Sequence, residues 1–243
     1  PIAKLVAVGY PGDYGGDFAA GAEKWAGANG VEFAGFVETA PNATAGNQDA
    51  AVSAVVESGA DVVAIGVGPA EAAEIIGKAV AGGFKGQFLG AAPTWNPLLL
   101  QTAAAPALLA SYTNVGTTGS FGTPSVAMDA MQAQLGDGIV PSNDGYTYGW
   151  VWQYPLKAAL EKAAANGDLT REGLVAAVQG GVEVDYEGAL PNSLVGGPPA
   201  DVDRSVSINI PSEEAALGIE TLLMGYVGPT AQAYDYSAPC SGA

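Results

Sequence analysis

Between Leu5 and Phe18 the chain reads LVAVGYPGDYGGDF, an apolar run followed by a loop with glycines at 9, 12, 15 and 16 and aspartates at 13 and 17. A glycine-rich turn leading from a strand into a helix can hold an anion, because backbone N–H groups and the helix N-terminus point at the ligand. The spacing is neither G-x-G-x-x-G nor a Walker pattern with a following lysine. Asp13 and Asp17 put negative charge where a phosphate would lie, and like charges at that range repel. Gly15 and Gly16 are therefore expected to make a tight turn and Asp17 to cap the helix. Tyr10 and Tyr14 lie beyond the carboxyl end of the strand, where open parallel sheets bind ligands. Their ring faces and hydroxyls make them candidate contacts, and Asp13 is the loop carboxylate placed to add charge.

Two more strand ends carry comparable loops. Val67 is followed by Gly68, Pro69, Ala70 and Glu71, a small-residue turn into a helix in which Gly68 and Pro69 are candidates. Gly90 is followed by Ala91, Ala92, Pro93, Thr94, Trp95 and Asn96. Trp95 and Asn96 join a large apolar face to an amide that donates and accepts, which suits an uncharged or aromatic solute, with Thr94 beside them. Packing of Trp95 over the sheet edge is the alternative reading.

Other chemistries are excluded by composition. The 243 residues contain no histidine, so His-dependent triads, His-ligated zinc and imidazole acid–base catalysis are absent from this chain. The single cysteine, Cys240, can form neither an internal disulfide nor a thiolate cluster. No catalytic residue, metal site or cofactor is expected. Lysine and arginine total 8 against 25 acidic residues, a net charge of −17. That charge disfavours nucleic acid and anionic lipid as partners and favours solubility. No apolar run approaches the roughly 20 residues that span a bilayer. The chain opens at Pro1, without initiator methionine or leader pattern, as expected of a processed or truncated start.

The elements that would position these loops alternate in type. Strands are expected at Lys4–Gly9, Val31–Val37, Val62–Val67 and Gln87–Gly90, and helices at Phe18–Asn29, Asn47–Ser58 and Ala70–Ala81, the last ending at Gly82-Gly83. Such βαβ repeats imply α/β architecture, a parallel sheet with helices on both faces. A short helix around Pro97–Thr102 and a strand at Leu108–Val115 follow, then GTTGSFG (Gly116–Gly122), which reads as a hinge-like linker. Beyond it, helices are expected at Pro124–Leu135, Tyr146–Ala165 and Leu169–Val178, with Pro155 kinking the second or marking its effective start. Val182–Val195 and Val202–Ile210 read as loops and strands, and Glu213–Met224 as a small helix. The second half has helices but few strands. It reads either as a helical appendage to one doubly wound domain, or as the return portion of a lobe whose first portion lies outside the chain.

Four segments together resemble the solute-binding proteins of branched-chain amino acid ABC transporters, type I periplasmic-binding-protein folds of two lobes. They are VAVGYPGDYGGDFAAGAEKWAGANGVEF, ESGADVVAIGVGPAEAAEIIGKAVAGGF, KGQFLG and GYTYGWVWQYPLKAALEKA. The resemblance covers roughly residues 4–190. It implies that residues 1–118 are the second lobe, 119–204 the remaining portion of an incomplete first lobe, and 205–243 a crossing segment and tail. It further implies a non-catalytic extracytoplasmic receptor that closes by hinge motion over a small solute, an amino acid, amide or aromatic compound. The receptor would deliver the solute to an ABC permease and touch the membrane only through a lipid anchor outside this chain. Carried over by position, Tyr14 faces the cleft, and Tyr146 and Tyr148 stand near it from the first lobe. The resemblance would also give Cys240 its partner outside the chain. Two departures bear on the solute. Ala92 and Pro93 stand where amino-acid binders place the acidic partner of the ligand ammonium, and the aromatic expected after Val67 is replaced near Gly68. Since a buried ammonium needs a charge partner, a less charged, bulkier solute is expected. A ligand-sensing regulatory module of the same fold and a nucleotide-dependent α/β enzyme are the alternatives.

Overall fold

The computed structural model describes residues 1–198 and 202–236, apart from the side chains of Asp13 and Ala45; Cys240 lies outside the described residues. The chain divides into two compact units. One, the sheet unit, comprises Pro1–Gly116 and Ile208–Leu222; the other, the helical unit, comprises Thr117–Ser207 and Leu223–Ala243.

In chain order the first half gives β1 (Lys4–Gly9), α1 (Asp13–Asn29), β2 (Glu32–Glu38), α2 (Asn42–Ala45), α3 (Asp49–Ser58), β3 (Val62–Gly66), α4 (Pro69–Ala81), β4 (Gln87–Ala91), α5 (Ala105–Ser111) and β5 (Tyr112–Gly116). Short 3-10 turns at Ala92–Thr94 and Pro97–Gln101 lie between β4 and α5. The sheet runs β2-β1-β3-β4-β5, each strand parallel to its neighbours in that run, and is extended by β8 (Val206–Pro211) and β9 (Ile219–Tyr226) to seven strands.

Alternation along β1 sends its side chains to two faces. Leu5 and Ala7 pack with Ala19 and Phe18 of α1 and with Ala64. Val6 and Val8 pack with Val63, Ile65 and Phe88, and with Val55, Ile75, Ile76 and Leu108 of α3, α4 and α5. Strands covered on both sides read as near-continuous apolar runs, which is what VAVG and VVAIG are.

Helix ends follow local chemistry. α4 opens with Pro69 in its first turn after extended Gly68, where the missing N–H costs nothing. α1 opens after Gly12 (φ 96°), four residues earlier than Asp17, which lies inside the helix rather than at its cap. Gly15 is required by close approach: a Cβ there would clash with the Tyr10 carbonyl oxygen.

Two expected elements are corrected. Residues 108–111 are the end of α5, not the start of a strand; APALLAS is rich in strong helix formers with a proline in its first turn. Residues 213–224 are not a helix. The chain turns through Gly218 (φ 69°) and Ile219 onward joins the sheet beside β8, so strand pairing overrides the helical preference of EEAAL.

The helical unit contains α6 (Val126–Leu135), α7 (Gly145–Val151), α8 (Gln153–Ala165), α9 (Arg171–Gln179), β6 (Val182–Val184), β7 (Ser193–Val195) and α10 (Pro229–Ala233). Ser125 and Thr170 cap α6 and α9, accepting hydrogen bonds from Met128 and Gly173 N–H. The long helix expected over 146–165 is broken at Trp152, three residues before Pro155, as a proline in the first turn of a new helix demands. β6 and β7 form a two-stranded antiparallel sheet of three residues each.

Candidate functional site

In the sheet unit, the carboxyl ends of β1, β3 and β4 bring together Tyr10, Tyr14, Gly68, Pro69 and Thr94. The Tyr10 hydroxyl donates to Glu71 Oε2 at 2.8 Å and accepts from the Gly68 N–H at 2.8 Å. Glu71 Oε1 accepts from the Asn42 N–H at 2.8 Å, so one carboxylate ties together the loops that follow β1, β2 and β3. Burial pushes the Glu71 carboxyl up, but hydrogen bonds from Asn42 and Tyr10 outweigh it and hold it below the usual range. Tyr10 is pushed up to about 12, first by burial and then by Glu71, against the Gly68 N–H. It is a neutral donor at every physiological pH.

Buried Gln48 fixes the neighbouring loop. Its amide donates to the Ala40 carbonyl at 3.0 Å and to Asn42 Oδ1 at 2.9 Å, and its oxygen accepts from Thr39 Oγ1 at 2.5 Å. The strand-end platform is thus set by side chains that sequence spacing did not single out. Glu71 is the central one, visible in the sequence only as a first-turn acid.

Tyr14, on the first turn of α1, places its hydroxyl 3.1 Å from Thr94 Oγ1. Thr94 is fully buried and within reach of the Ile65 carbonyl at 3.3 Å, and either hydroxyl of the Tyr14–Thr94 pair can be the donor. Burial raises the Tyr14 pKa, partly offset by Thr94.

Trp95 and Asn96 have internal partners. The Trp95 indole N–H donates to the Leu217 carbonyl at 3.1 Å, and its ring stacks on buried Tyr112 with centroids 5.8 Å apart. Asn96 Oδ1 accepts from the Leu98 N–H at 2.9 Å, opening the 3-10 turn. The side chain of Asp13 lies outside what is described.

Tyr146 and Tyr148 belong to the helical unit and point to different surroundings. Tyr148 hydrogen-bonds the Thr118 side chain and is pushed up to about 12 by burial and by the charge of Asp144. Tyr146 lines a cavity of about 680 Å³ with Gly145, Gly149, Trp150, Gln153, Tyr154, Lys157 and Glu187. Its wall is an aromatic ladder at helical spacing, with Tyr146 and Trp150 centroids 6.4 Å apart. The Trp150 indole N–H donates to the Tyr154 hydroxyl at 3.3 Å, which donates to Glu187 Oε2 at 2.7 Å. Burial, then Glu187, raises the Tyr154 pKa and keeps it a donor. The i, i+4 spacing of these aromatics was visible in the sequence; Glu187, more than thirty residues on, was not.

Among the described residues, no three His, Cys, Asp or Glu side chains gather as a metal ion requires. Among the same residues, no helix is long and apolar enough to cross a membrane.

A family model described as periplasmic binding protein matches residues 2–203. The fatty acid ABC transporter substrate-binding protein from Thermomonospora curvata is 26% identical, with a TM-score of 0.84, and the match covers 96% of this chain and 60% of that one. A branched chain amino acid ABC transporter protein from Thermus thermophilus, solved with bound valine, is 16% identical (TM-score 0.70; 95% and 62% covered). A leucine binding protein from Thermotoga maritima is 17% identical (TM-score 0.68; 94% and 61% covered). The last two are likenesses of fold. The chain spans about three fifths of the length of each of these proteins. No curated protein matches it at a significant level.

Proposed function

Because the chain belongs to the periplasmic binding protein family, we propose that it is part of a non-catalytic extracytoplasmic receptor that captures a small organic solute and hands it to an ABC permease. We read the sheet unit as the family's second lobe and the helical unit as the remaining portion of its first. That reading is supported by the sheet's parallel order and by the three fifths of the relatives' length that the chain covers.

The observation that carries the proposal is the Tyr14–Thr94–Ile65 relay at the carboxyl ends of β1, β3 and β4. It sits where open α/β sheets bind ligands, and it presents a neutral phenol rather than a charge. The solute follows from what stands beside it. After β4 the chain offers Ala92 and Pro93, and after β3 the Glu71 carboxylate already accepts from Tyr10 and Asn42. An α-ammonium would be poorly matched there, whereas an apolar solute without one is accommodated. The Thermomonospora relative, described as a fatty acid binder, is in keeping with that class.

Calorimetric titration with decanoate and with leucine tests the reading. Decanoate should bind and leucine should not, and Tyr14→Phe should weaken decanoate roughly 2- to 10-fold, the worth of one hydrogen bond. Leucine binding at micromolar concentration would overturn the solute class. Unchanged decanoate affinity in Tyr14→Phe would overturn the site.

A further inference from the structure

The cavity of the helical unit has the build of a second binding site. Among the described residues, Glu187 is the non-glycine residue held at positive φ, 53°. Glutamate has no local preference for that conformation, which persists only where the surroundings over-determine it, and such residues cluster at ligand sites. The surroundings do so here. Asp185 Oδ1 accepts from the Glu187 N–H at 2.9 Å, and the Glu187 carbonyl accepts from the Ala127 N–H at 3.1 Å. The turn aims the carboxylate at the Tyr154 hydroxyl, the last link of the ladder that begins at Trp150.

Gly149, next to the aromatic stripe, leaves space beside the rings: a Cβ there would meet nothing within 4 Å. The charges do not cancel. Lys157, the lysine of the lining, pairs with Glu161 at 3.5 Å, while Glu187 has no ion-pair partner among the described residues and Asp185 adds a second negative field at Tyr154.

A carboxylate beside the faces of tyrosine and tryptophan suits a cation of low hydration, because aromatic faces attract positive charge. The cavity, about 680 Å³, lies within the size range of small-molecule sites. We propose that it binds an organic ammonium, with the cationic head against Glu187 and Tyr154 and the apolar part along Trp150 and Tyr146. The site belongs wholly to the helical unit, so it stands or falls separately from the solute reading of the sheet unit.

Tryptophan fluorescence titration of the chain tests it, with choline, its uncharged carbon isostere dimethylbutanol, and phenylpropionate as probes. Choline should bind about tenfold more tightly than dimethylbutanol, and phenylpropionate should not compete. Glu187→Gln should erase the tenfold preference, and Trp150→Phe should remove the fluorescence response. Equal affinity for choline and dimethylbutanol would overturn the proposal, as would tighter binding of phenylpropionate or a preference that survives Glu187→Gln. Should Glu187→Gln fail to fold, the three probes on the unaltered chain decide the question alone. The decanoate titration is indifferent to either outcome.

Discussion

The two units bury their helices differently. In the sheet unit, α3, α4 and α5 lay their apolar faces on β1, β3 and β4, and Ile65, Ile75, Ile76 and Phe88 are all 0% exposed. In the helical unit, α8 and the residue before it leave Trp152 71%, Leu156 49% and Leu160 42% exposed. A helix gives up its apolar stripe only to a facing layer, and a broad sheet supplies one. Three-residue strands such as β6 and β7 do not. The helical unit relies more on directed polar ties: the Ser125 and Thr170 caps, Asp144 on the Phe121 N–H at 3.0 Å, and Lys162 on the Gly181 carbonyl at 2.6 Å. Within this chain, one unit is held by volume and the other leans on contacts that can be removed singly.

The largest expected effect tests that contrast directly. Phe88→Ala should cost the sheet unit about 3–5 kcal/mol, because a buried aromatic leaves a cavity the strands cannot close. Trp152→Ala, a larger deletion by volume, should change stability by no more than about 0.5 kcal/mol because most of the ring is already in water. Hydrogen exchange followed separately in peptides of each unit measures both. A comparable loss of protection from the two substitutions would break the comparison.

A smaller effect sharpens it from the polar side. Glu71→Ala removes the acceptor of both Tyr10 and the Asn42 N–H and should cost about 1–3 kcal/mol, the range for a buried partner left unsatisfied. In the helical unit Tyr154→Phe removes one hydroxyl from the Trp150–Glu187 chain and should cost about 0.5–1.5 kcal/mol. Denaturant titration of each variant gives the two numbers. If Tyr154→Phe proves the costlier, a single polar tie matters more to the helical unit than to the sheet unit.

The contrast also marks what could be read from the residues. The parallel sheet was legible because strands covered on both sides must be apolar throughout, and Gly82-Gly83 and Pro155 punctuate their helices by backbone restriction alone. Residues 213–224 misled because the helical preference of EEAAL and the pairing of β9 with β8 disagree, and 108–111 misled because their apolar run masked the helix formers of APALLAS. Distance along the chain hid much of the site. Tyr10 and Tyr14 follow from a position beyond a strand end, but the Glu71 ties reach across 61 and 29 residues. Trp95 and Asn96 offered the right groups for a solute, and nothing near them in sequence announces that a carbonyl 122 residues on accepts the indole N–H. Fold comes largely from composition repeated along the chain; a site comes from a few long-range pairings.

The smallest effect concerns charge, and here the units should differ in sign. Glu71 is held below the usual carboxylate range, so its contribution to the sheet unit is complete above about pH 4.3, the ordinary glutamate value, and is lost as pH falls through its lower folded value. Asp144 is displaced the other way. Burial raises it, against the Phe121 N–H and Thr147 hydroxyl that stabilise its charge. A carboxyl raised by folding favours the native state most below about pH 3.9, the ordinary aspartate value, and that advantage drains away as pH rises through the folded value. Mild acidification from neutrality should therefore tighten the segment around Phe121 before it loosens the platform around Glu71. Asp144→Asn keeps an acceptor for the Phe121 N–H but cannot ionise, so it should hold the tightened state at all pH values. Hydrogen exchange of peptides covering 117–151, compared at pH 4 and pH 7 after correction for intrinsic rates, reads the difference. Protection that varies with pH as much in Asp144→Asn as in the parent would mean that another group sets it, since the buried carboxyl would then be ionised without cost.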